Sequence, residues 1–398
     1  MNITSLRHYR ALTGAAALQL FLAVAIAAGG PANGAGTSTP APSAAAMAEY
    51  KRLLAAYLAA RAAYDAESDA YWNSIAQKRG SRSGKRASRT PIVLDDYVLT
   101  QPPVYTGAPQ PVNPAAPKRP PTPRPYVPVV ADFVNAAKRE FGFVPQQPHS
   151  DLDFKRAYAK VALAAGLTKN QIVRVYSFEA TGNGTYTVQA GLEYNTPTAH
   201  AITAALGYNQ LLNSNSVELM AEAGDQFLQA LKAKAAQQSG QQQQALLHKI
   251  AVVQKMVDYA SSVPDDWSQH EALANTPKGL AIHAMNLDID VGPMLQTEKL
   301  LMSVLFARKH GHDAELTAAE LEMMNLTGDG SGLDMVVMPQ DWRLQVPTSN
   351  FFQRRGYEDN PVAQRNNVVA KLIAATDATM DKESKKQGAR DLAAACGN

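Results

Sequence analysis

The stretch "VYSFEATGNGTYTVQAGLEYN", residues 175–195, joins the end of an apolar helical pattern to a segment of glycines and β-branched residues. Upstream, Thr168 and Gln171 in "TKNQ" form a capping-box signature, which starts a helix running to about Glu179. Downstream, "GTYTVQAGLEY" alternates β-branched and aromatic residues between glycines, and this pattern predicts a short β-hairpin. "NTPTAHAITAALGYNQLL" then predicts a new helix, with Thr196 as its cap and Pro197 in its first turn. Glu179 therefore stands where a helix ends and a hairpin begins. A carboxyl there meets the partial negative charge of the helix C-terminus, which disfavours ionisation. Tyr176 and Phe178 add a desolvating wall, so both influences push the Glu179 pKa up, toward what a general acid needs. The plain alternative is a solvent-facing side chain at a helix end, a place that favours cations over carboxylates.

Working outward, residues 129–398 read as a mainly α domain with this one small hairpin. Helices are expected over residues 216–236, 245–261, 277–287 and 294–310, and a last clear one within "NPVAQRNNVVAKLIAATDATM". The glutamine run at 237–244 reads as a surface loop, and "TAAELEMMNLTGDGSGLDM" as a helix running into a glycine loop. Residues 213–316 form a large helical insertion between motifs that matter below.

Before residue 129 the chain changes character. Arg7 and Arg10 precede the short apolar run "AAALQLFLAVAIAAGG", which reads as an export signal over residues 1–35, with cleavage near Ala28 or Ala35. Removal of that segment leaves no apolar run long enough to span a bilayer, so a periplasmic or secreted protein is expected. Residues 36–89 hold a long amphipathic helix and a basic segment. Tyr50, Tyr57, Tyr64 and Tyr71 recur every seven residues, a narrow stripe suited to packing on the main domain or to helix-mediated self-association. "QKRGSRSGKRASR", residues 77–89, carries six Lys/Arg and no acid, and reads as a solvated linker. Residues 90–128, with "QPPVYTGAPQPVNPAAPKRPPTPRPYVP", read as a polyproline-like spacer that separates the tyrosine helix from the rest.

The order helix, glutamate, hairpin, helix resembles the lysozyme-like superfamily, in particular the lytic transglycosylases that cut peptidoglycan. Glu179 matches the catalytic glutamate of that family. "GYNQL", residues 207–211, is similar to its Gly-hydrophobic-Met-Gln motif, with Gln210 in the glutamine place. "MNLTG", residues 324–328, matches its Tyr-Asn-Ala-Gly motif through Asn325 and Gly328. The chain departs from the pattern at Ala180, where a serine is common, at Met324, where a tyrosine is expected, and in the longer interval between Glu179 and Gly207. The resemblance implies a lysozyme-like helical domain and a single glutamate acting as general acid and then base on a peptidoglycan glycan. In that family the N-acetyl group of the sugar is thought to assist, which removes the need for a second carboxylate.

Hydrolysis of the ordinary kind needs a second carboxylate about 5 Å or about 6.5–9.5 Å from the acid, and the hairpin offers only Glu193. Thr187 and Gln189 are placed to hydrogen-bond a sugar, and Tyr208, Gln210 and Asn325 to wall the cleft. The competing class is a non-catalytic glycan-binding protein or periplasmic envelope scaffold that uses the same cleft.

Other chemistry finds little footing. The one cysteine, Cys396, is the third residue from the end. "HGH" at 310–312 has no convergent third ligand, and the Asp329–Asp334 glycine segment fails the calcium-loop pattern. Neither a metal nor a cofactor is expected. A formal net charge of +3 names no partner, and nucleic-acid binding has no support beyond the basic segment.

Overall fold

A computed structural model of the chain describes residues 42–117, 124–192, 196 and 198–397. The expected signal segment, Glu193 and Pro197 lie outside the described residues. The fold is mainly helical, as the apolar spacing requires. Helix α1 (Ala44–Ala87) is followed by α2 (Val130–Phe141), α3 (Asp151–Ala164) and α4 (Lys169–Glu179). Then come α5 (Asn213–Ala235), α6 (Gly240–Ala260), α7 (Trp267–Ala274), α8 (Pro277–His283) and α9 (Val291–Lys309). Helices α10 (Ala318–Thr327) and α11 (Asp329–Val336) precede three short ones, α12 (Gln340–Arg343), α13 (Arg354–Glu358) and α14 (Pro361–Arg365). The chain closes with α15 (Val369–Glu383) and α16 (Gln387–Ala395). No helix among the described residues is long and apolar enough to cross a membrane.

The capping chemistry read from sequence is in place at α4. Thr168 accepts from Gln171 N, while the Gln171 side chain accepts from Thr168 N. Burial then selects where α4 goes. Ile172, Val175 and Tyr176 enter a core shared with Phe154, Tyr158, Leu321, Met324 and Leu392. A second core gathers Leu219, Phe227, Val253, Met256 and Leu295 from the lobe built by α5 to α9. A third joins Trp72 and Ile75 of α1 to Met335, Phe351 and Leu372.

Several local expectations are corrected. Among the described residues, 184–192 form turns rather than a hairpin, and β character survives only as isolated bridges. Gln189 bridges Leu206, and Leu206 bridges Leu211, so the β-branched run pairs with a distant segment instead of folding back on itself. The helix expected over 196–212 is absent for the same reason. Leu206 and Leu211 exchange backbone bonds of 2.9 and 3.1 Å across a tight turn. Gly207 (φ 83) and Gln210 (φ 43) take left-handed conformations there that no α-helix contains.

The glutamines at 241–244 are not a loop: they begin α6, consistent with the good helix propensity of glutamine. The glycine loop after α10 is also helical, as α11. Gly328 (φ 81) makes the corner, and a Cβ on Gly332 would lie 2.3 Å from Met324 Cα, so glycine lets α10 and α11 approach closely.

The largest correction concerns residues 77–105. The basic segment is the last quarter of α1, and Arg82 is fully buried. Its guanidinium donates to Asp334 Oδ2 (3.0 Å), Asp96 O (2.9 Å) and Asn350 O (2.7 Å), and it stacks over Tyr97. Arg86 donates to the same Asp334 carboxylate at 2.6 Å. A run of like charges is therefore read wrongly as solvated when its counter-charges come from residues far along the chain. The start of the proline-rich segment is no free spacer either. Tyr97 is buried, Asn350 holds Val98 through both its backbone groups, and Tyr105 returns to set its ring edge against Tyr57 and Tyr64. Tyr57, Tyr64 and Tyr71 of the stripe are thus met by this chain's own proline-rich segment, and Tyr71 is also bonded to Ser349 Oγ at 2.7 Å.

Candidate functional site

Glu179 ends α4 with its side chain turned inward, where it is 7% exposed. It meets α10, whose face at the same level carries Glu322 and Asn325, three residues apart and therefore neighbours on one side of the helix. Asn325 Nδ2 donates to Glu179 Oε1 at 2.7 Å and stands 3.5 Å from both oxygens of Glu322. Glu179 and Glu322 are themselves in hydrogen-bond contact.

Burial pushes the Glu179 pKa well above the ordinary carboxyl range, the Glu322 charge adds to the rise, and Lys299 and Asn325 oppose it. Burial also raises Glu322, while its hydrogen bonds with Glu179 and Asn325 pull it back. The contact between the two carboxyls raises Glu179 and lowers Glu322, and burial raises both. Glu179 Oε2 is buried with no hydrogen-bond partner. Two carboxyls this close cannot both ionise.

Asn325 faces two ways. Besides holding Glu179, it lines a crevice walled by Glu218, Glu222, Trp267, Lys299 and Asp329. Burial raises Glu218 to about 7 and Glu222 to about 8, with Glu218 adding to the rise at Glu222. Burial raises Asp329 as well, against a 2.6 Å bond from Ser303 Oγ. The crevice is narrow, about 60 Å³. Chemically it presents carboxyls that can hold or give protons near neutral pH, one cation, and one indole face. Among the described residues no three His, Cys, Asp or Glu side chains converge as a metal site.

Of the residues singled out from sequence, the structure brings together Glu179 and Asn325. It takes the others elsewhere. Tyr208 is fully buried and donates to Asp151 Oδ1 at 2.9 Å, in an aromatic cluster with Phe154, Tyr158 and Tyr176. Gln210 spends its amide on Gly207 O (2.8 Å) and Val188 O (3.2 Å), closing the turn it belongs to. The "GYNQ" residues therefore plug the core instead of walling a cleft: the positive-φ turn points Tyr208 and Asn209 inward, where Asn209 bonds Tyr158 and Gln296. Thr187 and Gln189 line a different cavity, which shares no residue with the Asn325 crevice.

Glu322, Glu218, Glu222 and Trp267 were missed. The i, i+3 pairing of Glu322 with Asn325 in "ELEMMN" was the available signal, since it sets an acid and an amide on one face of a helix rich in apolar residues. Glu218 and Glu222, four apart in "SVELMAEA", carried the same kind of signal. Compared with known proteins, the chain matches no protein-family model, no curated protein and no solved structure.

Proposed function

We propose that this chain is an exported, periplasmic or secreted enzyme that cleaves the glycan strands of peptidoglycan, with Glu179 as general acid and then base. The observation that carries the reading is the buried Glu179 carboxyl, paired with Glu322 and held by an asparagine that also lines an acid-rich crevice. A neutral glutamic acid in a dry setting is the form that can protonate a glycosidic oxygen.

The pair geometry favours a single-glutamate, lyase-type route. Two carboxyls in hydrogen-bond contact lie closer than the roughly 5 Å that a retaining hydrolase needs between acid and nucleophile. Glu322 therefore sets the proton affinity of Glu179 and does not attack the sugar. In the proposed cycle Glu179 gives its proton to the leaving oxygen as the C1–O bond breaks. The resulting carboxylate then takes the proton of the sugar's own 6-hydroxyl as that oxygen bonds C1, which closes a 1,6-anhydro ring and restores the acid. Trp267 supplies an apolar face for a sugar ring, in keeping with the stacking that aromatic side chains provide.

The non-catalytic reading, a glycan-binding or envelope scaffold protein, has one observation in its favour: a crevice of about 60 Å³ holds about two waters and no sugar ring without movement of its walls. The two readings separate on sacculi. The full chain should release 1,6-anhydro-muropeptides and Glu179→Gln should not, with its melting transition kept. Ordinary reducing ends would mean hydrolysis. Unchanged sacculi over pH 5 to 8 would leave the binding reading.

A further inference from the structure

In the upstream half of α1 one face is met by the chain itself and another is left open. Tyr57, Tyr64 and Tyr71 meet Tyr105 and the Thr100 carbonyl. Away from that stripe, Ala55, Ala56, Ala59, Ala62, Ala63 and Ala66 recur at helical spacing, and all six are exposed. Leu53 and Leu58 flank them, 41% and 54% exposed. The buried residues of α1 begin only at Ser68, so this face stands clear of the cores. Asn73, Ala76 and Gln77 continue the same exposed line further down the helix.

The charges along this face show what it matches. Lys51, Leu58 and Asp65 share one edge of it at seven-residue spacing, with the leucine midway between opposite charges. Upstream, Arg52 pairs with Glu49, which leaves Lys51 as the excess charge. Downstream, Arg61 and Arg354 pair with Asp65 and Asp69, which leaves Glu67 as the excess charge. The face is therefore its own complement when it is reversed end to end. An antiparallel copy sets Lys51 against the acidic turns and leucine against leucine. A parallel copy would set like charges together. Alanine lets two helix axes approach to the short end of the usual range of about 8–10 Å.

We propose that the open face of α1 is a docking surface for a second copy of this chain, antiparallel, with the two-fold axis passing beside Leu58. The tyrosine stripe then serves the fold of one chain, and the alanine and leucine face joins two. The two-fold makes every contact twice, so each charge pair across the axis counts double. Helices overlapping over residues 44–72 share about 43 Å of length. An exposed apolar face this long is uncommon on a monomer. Neither Glu179 nor its crevice takes part, so the pairing stands apart from the catalytic reading.

The test is sedimentation equilibrium of the full chain over a range of concentrations. A single helix pair lies at the small end of protein interfaces, so dimers should form at about 1–100 µM. Leu58→Glu sets two carboxylates across the axis and should leave a monomer with an unchanged melting transition. Lys51→Glu and Asp65→Lys should each weaken dimerisation by about fivefold. Mixed in equal amounts, those two variants should regain association, because an antiparallel heterodimer restores both opposite-charge pairs. A monomer at every concentration would overturn the proposal. So would a dimer that survives Leu58→Glu, or a mixture that associates no more tightly than either variant alone. Should Leu58→Glu disturb the fold, the mixing experiment decides by itself.

Discussion

Asn325 Nδ2 lies 2.7 Å from Glu179 Oε1, a hydrogen bond between residues 146 positions apart in the chain. Through it the end of α4 and the last turn of α10 make one unit. The same amide donor stabilises the ionised form of Glu179, whereas Glu322 stabilises the protonated form. The two neighbours thus pull the proton affinity of Glu179 in opposite directions, and this opposition can be measured.

Glu179→Gln should lower glycan release by at least about 100-fold, the scale of a lost general acid. The amide keeps the volume and removes a carboxyl whose burial is unfavourable when charged, so the melting temperature should hold or rise. Thermal melts alongside muropeptide analysis check both; an unfolded variant, or a fully active one, would remove Glu179 from the mechanism.

Glu322→Gln takes away a negative charge that raises Glu179. The alkaline limb of the pH–rate profile, which reports loss of the Glu179 proton, should move to lower pH. Asn325→Leu takes away a donor that favours the Glu179 carboxylate and should move the same limb to higher pH. Its stability cost is about 1–3 kcal/mol, for one buried bond lost. Shifts of equal sign in the two variants would contradict the arrangement.

Acid should stabilise the protein. Glu218 and Glu222 have folded-state pKa values raised from 4.5 to about 7 and about 8. A carboxyl raised on folding makes the native state bind more protons than the unfolded state between those values, so stability falls as pH rises. The benefit is complete below about pH 4.5 and is lost as pH climbs through about 7 and about 8. Melting at pH 5 should therefore come later than at pH 8.5, and Glu222→Gln should narrow the gap.

Asp334→Asn strands Arg82, a fully buried cation, and should cost about 3–5 kcal/mol in urea unfolding. Replacing both partners with apolar residues, as in Arg82→Met with Asp334→Leu, should recover most of the loss. Arg86 also pairs with Asp334, so the recovery should be incomplete.

Gly332→Ala would set a Cβ 2.3 Å from Met324 Cα, the residue next to Asn325. The forced separation of α10 and α11 should reduce glycan release beyond what the loss of stability explains, since Asn325 moves with Met324. Comparable losses in both would mean that α10 absorbs the strain without passing it to Glu179.

What could be read from the sequence was local. The capping box at Thr168 and Gln171, the helical periodicity and the placement of Glu179 at a helix end all depend on residues a few positions apart. The pairing of Glu179 with Glu322, the seating of Arg82 on Asp334 and the bridge from Gln189 to Leu206 depend on the tertiary fold. Gly328 and Gly332 show a subtler failure. Glycines suggest a loop, but here they permit two helices to turn a corner and touch, a role that propensity alone cannot distinguish. The "GYNQ" segment has helix-like neighbours, yet its turn is set by Tyr208 and Asn209 finding partners in Asp151, Tyr158 and Gln296.

The buried residues of α1 are Ser68, Trp72, Ile75 and Arg82, all in its C-terminal half. A helix of 44 residues spans about 66 Å, and the stretch before Ser68 accounts for about 36 Å of that. The element is therefore anchored like a mast at its foot and braced at Tyr57 and Tyr64 by Tyr105. The first turns of α1 are thereby held at a fixed distance, and in a fixed direction, from the domain that carries Glu179.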